Sequence, residues 1–126
     1  MKSHTVMIVD DEADCADMLE LALEALPGVT AIRVSSAEAA LEAMGRLDLA
    51  AVISDVQLPA MSGIELITRA HQLKDGVPVV IMSASTDAGV KSEALQAGAA
   101  AFFAKPFSPA ALCATVQGLL KESKNV

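Results

Sequence analysis

The sequence has no tryptophan and no tyrosine, and its three phenylalanines, Phe102, Phe103 and Phe107, stand within six residues of one another. An interior built on large aromatic rings is therefore excluded. Six methionines and many alanines point instead to a core of small and pliable side chains. Cysteine is scarce as well. Cys15 and Cys113 form no C-x-x-C pair and sit among apolar residues at helical spacing. That argues against a disulfide scaffold or thiolate metal site, and for two reduced core thiols in a cytoplasmic protein. Basic residues are few, nine against sixteen acidic ones, for a net charge of −7. Such a balance argues against non-specific binding to nucleic acid or to an anionic membrane surface. No apolar run approaches the roughly 18 residues of a membrane span. The first run, Val6 to Val9, is too short for a signal peptide and leads at once into acids. Repeats, low-complexity tracts and linkers are likewise absent.

What is present is apolar and regularly patterned. The chain has 126 residues, 53% of them hydrophobic, and a mean hydropathy of +0.47. That length reads as one domain over 1–126, its core about 5–121, with enough burial to fold without staples. Short apolar segments alternate with amphipathic ones. Strands are expected over Thr5–Asp10, Val29–Val34, Leu49–Ser54, Val77–Ser83 and Ala100–Ala104. After the first comes a helix with Cys15, Met18, Leu19, Ala22 and Leu26 on one face, stopping at Pro27-Gly28. Ser35 to Glu38 and Ser62 to Glu65 read as capping boxes opening two further helices. A helix from about Asp87 ends at Gly98, and Ser108 caps a last one with Pro109 at its first position. Five strands alternating with five helices predict a parallel α/β sheet covered on both faces, with right-handed crossovers.

In such a sheet all strand carboxyl ends share one edge, where ligands bind. The first strand ends in Asp10-Asp11, the third at Asp55, the fourth at Ser83, and the fifth at Lys105 before Pro106. Singly, each has a bland reading: a favourable charge at a helix start for Asp11, Glu12 or Asp14, a turn for Asp55, a backbone hydrogen bond for Ser83, a solvated charge for Lys105. Together they put three carboxylates, a hydroxyl and an ammonium on one crevice. Close carboxylates repel, and a hard divalent cation such as Mg²⁺ removes the conflict. A carboxylate can act as the nucleophile toward phosphorus, and phosphoryl transfer chiefly needs positioning and charge neutralisation. Asp55 is the expected phosphoacceptor.

The segments "VDDE" (9–12), "DVQLPAMSG" (55–63), "MSAS" (82–85), "QAGAAAF" (96–102) and "AKPF" (104–107) resemble the receiver domain of two-component response regulators, chemotaxis-type receivers included. The resemblance covers about residues 5–121. It implies a flavodoxin-like doubly wound sheet in order 2-1-3-4-5. Asp55 would accept phosphoryl from a phosphohistidine of a sensor kinase or phosphotransfer protein. Asp10, Asp11, Asp55 and the backbone carbonyl of Gln57 would hold Mg²⁺. Lys105 would contact the phosphoryl group, Ser83 would move onto it, and Phe102 would turn inward. The surface of the fourth helix, fifth strand and fifth helix would address an output partner. It also implies a cis Lys105–Pro106 peptide, no catalysis beyond self-phosphorylation and self-dephosphorylation, no nucleic-acid or membrane contact by this domain, and a monomer or weak dimer. Leu58 stands where the family often has Met, and Phe102 where many members have Tyr. Gln57 and Ser85, two residues past Asp55 and Ser83, are not acids, so nothing marks an unusually fast self-dephosphorylation.

Other classes fit less well. A haloacid-dehalogenase-like phosphatase needs a second Asp where Gln57 stands, and a dinucleotide-binding enzyme needs a Gly-rich turn where Asp10-Asp11-Glu12 stands. A non-phosphorylated interaction module would leave the complete set of site residues without a purpose. A stand-alone receiver and a fragment of a larger regulator or hybrid kinase look alike in this sequence.

Overall fold

The three central strands are buried over most of their length because their side chains point alternately into two helical layers, as the continuous apolar runs require. The computed structural model of the chain describes residues 3–73, 77–84 and 87–123. Its elements run β1 (His4–Val9), α1 (Ala13–Glu24), β2 (Val29–Val34), α2 (Ala37–Arg46), β3 (Ala51–Asp55), α3 (Gly63–Leu73), β4 (Val79–Ser83), α4 (Ala88–Ala97), β5 (Ala101–Ala104) and α5 (Pro109–Ser123). The strands pair in parallel in the order β2-β1-β3-β4-β5. This is the doubly wound order that the resemblance implied. The order reverses between β1 and β3, which opens a crevice beyond their carboxyl ends.

Alternation along β1 shows the two layers. Val6 and Ile8 pack with Leu19 and Leu23 of α1 and with Leu112 and Val116 of α5. Met7 and Val9 belong to the opposite layer, which also holds Ala40 and Met44 of α2, Leu66 and Ile67 of α3, and Ala94 of α4. Burying each such large side chain is worth about 1.5–3 kcal/mol over leaving it in water. β2 is a sheet edge, and its mixed pattern leaves Thr30 and Arg33 exposed.

Helix boundaries differ from the sequence reading where local chemistry is ambiguous. The buried stripe of α1 is Ala16, Leu19 and Leu23, flanked by half-buried Cys15 and Ala22, while Met18 is exposed. Ala16 and Leu23 are buried and Met18 is 36% exposed, a distinction that apolar spacing alone does not make. The helix ends at Glu24, ahead of Pro27-Gly28, and Gly28 adopts a positive φ of 73° as the chain turns into β2. Ser36, not Ser35, caps α2, accepting from the Ala39 N–H at 3.1 Å. At α3 the Ser62 hydroxyl accepts from the Glu65 N–H at 3.1 Å, but the Glu65 carboxylate goes to Arg69 rather than back to the cap. Ser108 caps α5 as expected. No helix among the described residues is long and apolar enough to cross a membrane.

Candidate functional site

Asp55 is the last residue of β3 and is buried. Its Oδ1 accepts from the Gln57 backbone N–H at 3.1 Å, and its Oδ2 accepts from Lys105 Nζ at 2.8 Å. The backbone behind it is held tightly. Ser54 Oγ donates to the Asp55 carbonyl at 2.9 Å, and Gly63 N–H donates to the Val56 carbonyl at 2.8 Å. A Cβ on Gly63 would stand 2.2 Å from the Asp55 carbonyl oxygen. Only glycine permits that approach, so α3 starts against the backbone of Asp55 itself. The connecting loop carries Ala60 at φ 68°, the one non-glycine positive φ among the described residues.

Asp10 follows β1 and is buried too. Its Oδ1 accepts from the Glu12 N–H at 2.9 Å, while its Oδ2 is buried without a hydrogen-bond partner. Lys105 arrives from the end of β5, where its N–H donates to the Ser83 carbonyl at 2.8 Å, and the Lys105–Pro106 peptide is cis. The ammonium reaches Glu12 Oε1 at 3.3 Å as well as Asp55. Burial works to lower the Lys105 pKa, but the hydrogen bond and charge of Asp55, with Asp10 beyond, outweigh it and hold the group above its ordinary value. Lys105 therefore remains a cation at any physiological pH.

Of the residues expected at the site, Asp10, Asp55 and Lys105 converge. Asp11 lines the crevice with Gln57 and Leu58, around a volume of about 490 Å³. Its carboxylate is not in the tightest group, however. That group is Asp10, Glu12 and Asp55, whose oxygens lie within 4.8 Å of one another. Glu12 was legible in the sequence only as a charge at a helix start. In the structure it occupies the N-cap of α1 with extended backbone and makes no side-chain cap bond, which leaves its carboxylate to Lys105. Ser83 ends β4 and is buried. Phe102 is half-buried on β5, opposite Ile81 rather than at the strand end. Ser83 pairs with Ala104, two residues on, so Ser83 and Phe102 share the sheet face covered by α3 and α4. Ser85 lies outside the described residues.

The donor set suits a hard cation. Four carboxylates, of Asp10, Asp11, Glu12 and Asp55, face one ammonium, and Asp10 offers a buried oxygen with nothing bound to it. Cys15, half-buried beside this cluster, is not a competing soft ligand at neutral pH. Burial, with the Asp10 carboxylate nearby, pushes its thiol up to about 12. Both cysteines are free.

The sequence pattern of the response regulator receiver domain matches residues 6–117. This chain belongs to that family. Among relatives of the receiver, the transcriptional regulatory protein FixJ of Bradyrhizobium diazoefficiens is 32% identical over 124 residues, covering 98% of this chain and 59% of FixJ. The DNA-binding response regulator MtrA of Mycobacterium tuberculosis is 34% identical over 118 residues, covering 94% of this chain and 51% of MtrA. The receiver thus spans little more than half the length of these two regulators. The CheY-like receiver domain protein of Methanospirillum hungatei superposes with a TM-score of 0.90 at 26% identity, covering 98% of each chain. The receiver is accordingly a module of two-component signalling, and its acidic cluster of Asp10, Glu12 and Asp55 could hold a metal ion.

Proposed function

We propose that this receiver is a phosphorylation-dependent switch in which Asp55 takes a phosphoryl group from a phosphohistidine of a sensor kinase or phosphotransfer protein. The observation that carries this reading is the Lys105 ammonium, 2.8 Å from Asp55 Oδ2 in an acid-lined crevice. An Asp55 oxygen forms the bond to phosphorus as the donor's phosphorus–nitrogen bond breaks, and the imidazole leaves with the electron pair. Lys105 passes from the Asp55 carboxylate to a phosphoryl oxygen and offsets its charge. Asp10, Asp11 and Asp55, with the Gln57 carbonyl, are the residues that would hold Mg²⁺. When bound, the ion supplies neutralisation of phosphoryl charge and relief of carboxylate repulsion.

Readout falls to Ser83 and Phe102. A Ser83 shift toward the phosphoryl group frees space on the face it shares with Phe102, and Phe102 gains by filling it. Lacking a hydroxyl, Phe102 signals by packing alone, so phosphorylation shifts a population that already exists. The surface of α4, β5 and α5 then addresses an output partner. The setting is the cytoplasm, where Cys15 and Cys113 stay reduced.

The test is intact-mass measurement after incubation with acetyl phosphate or phosphoramidate and Mg²⁺. Wild type should gain one phosphoryl group, and Asp55→Asn none. An unchanged gain in Asp55→Asn would sink the assignment.

A further inference from the structure

We propose that Glu12 makes this site select phosphodonors by charge, disfavouring those that carry two negative charges. The inference rests on Asp55 as phosphoacceptor and adds a specificity-determining residue to it.

Lys105 is shared between two carboxylates, Asp55 at 2.8 Å and Glu12 at 3.3 Å. The two carboxylates are not equivalent. The Asp55 side chain is 9% exposed and that of Lys105 18%, whereas that of Glu12 is 67% exposed. Asp55 lies at the bottom of the crevice, Lys105 above it, and Glu12 outermost. A donor coming from solvent therefore meets the Glu12 charge before it meets the ammonium. Glu12 makes no cap bond to its own helix, which leaves its carboxylate available to Lys105.

One ammonium between two carboxylates leaves an excess negative charge at the entrance. A second charge on the donor costs about threefold in rate at a separation of roughly 6 Å, even with the screening of bulk water, and more at the lower effective dielectric of a crevice. The penalty falls most heavily on free acyl phosphates, which bring two charges and no cations of their own. A protein donor can carry compensating cations on its surface.

Two small donors separate charge from everything else. With acetyl phosphate, a dianion, the Asp55 oxygen–phosphorus bond forms as the phosphorus–oxygen bond to acetate breaks, and acetate leaves with the electron pair. With phosphoramidate, a zwitterion of net charge −1, ammonia leaves with the pair and needs no further proton. Both reactions use the same metal-loaded site, so the ratio of their rate constants cancels changes in Mg²⁺ affinity or folded fraction. At saturating Mg²⁺, Glu12→Gln should raise the acetyl phosphate to phosphoramidate ratio about threefold or more. Glu12→Asp, which keeps the charge, should leave the ratio near wild type. In the wild type, added KCl should raise the ratio by screening, an arm that needs no variant.

A ratio that is unmoved in Glu12→Gln, or that Glu12→Asp shifts as far as Glu12→Gln, overturns the proposal, as does a wild-type ratio that stays flat or falls with salt. These outcomes leave Asp55 as the acceptor. If wild type takes no phosphoryl group from either donor, the acceptor assignment fails and this inference with it.

Discussion

α4 and α5 flank the same edge strand, β5, yet they are held in different ways. α5 seats Leu112, Cys113, Val116 and Leu120 in the layer under the sheet. Of the ten residues of α4 only Ala94 is buried, and Leu95 is 45% exposed. An alanine offers little apolar area, so α4 is fastened mainly by its ends. At the first, Asp87 accepts from the Gly89 N–H at 2.8 Å. At the second, Gly98 adopts φ 110° with His71 packed against it. Elements with few buried apolar contacts sit at the low-stability end of a fold. The difference predicts that α4 opens more readily than α5, on either side of the strand that carries Phe102.

The largest expected effect breaks the anchored side. Leu112→Ala should cost about 2–5 kcal/mol in urea unfolding, because Leu112 is wholly buried and its truncation leaves a cavity. Ala94→Gly on α4 should cost only about 1 kcal/mol, chiefly helix propensity. Equal costs for the two would end the comparison.

Hydrogen exchange sharpens it. Amides in the middle of α4 should exchange about tenfold or more faster than those of α5 in the unphosphorylated protein. Phosphorylation of Asp55 should change protection in α4 and β5 far more than in α5. Uniform protection across both helices would contradict the different fastening.

A smaller effect is set by pH and falls on the anchored side. Cys113 of α5, raised by burial, Cys15 of α1 and Lys105 are among the groups held above their ordinary pKa. Each keeps its proton to higher pH in the folded chain than in the unfolded one. The unfolded state loses protons first as pH rises, so the stability these groups lend is full below their ordinary values and is lost on the alkaline side. For Cys15 the window runs from about pH 9 to about pH 12. Unfolding midpoints should fall across that window, and Cys15→Ala should flatten the fall. An unaltered slope in that variant would show that Cys15 is not desolvated as the geometry requires.

Much of the candidate site was legible before the fold was known. Strand ends can be read from short β-branched runs, and Asp10, Asp55 and Lys105 each follow such a run directly. Their convergence needs only a parallel sheet. Glu12 was not legible as a site residue, because an acid at a helix start already has a sufficient local explanation. Met18 was misplaced for a similar reason: spacing puts it beside Leu19, and only packing shows which of the two meets the sheet. Gly63 appeared as part of a cap, whereas its 2.2 Å approach to the Asp55 carbonyl oxygen is a contact between elements.

The sequence by itself determined the class of the fold, the number of its elements and the chemical character of one sheet edge. These follow from hydrophobic period and from which residues stop a strand, and both are local properties of the chain. Tertiary structure alone decided that β1 and β3 lie side by side, that α4 buries only Ala94, and that Lys105 meets Asp55 and Glu12 together across separations of 50 and 93 residues. The physical reason is that local preferences act over a few residues, whereas strand order and ion-pair partners are chosen by packing the whole chain at once.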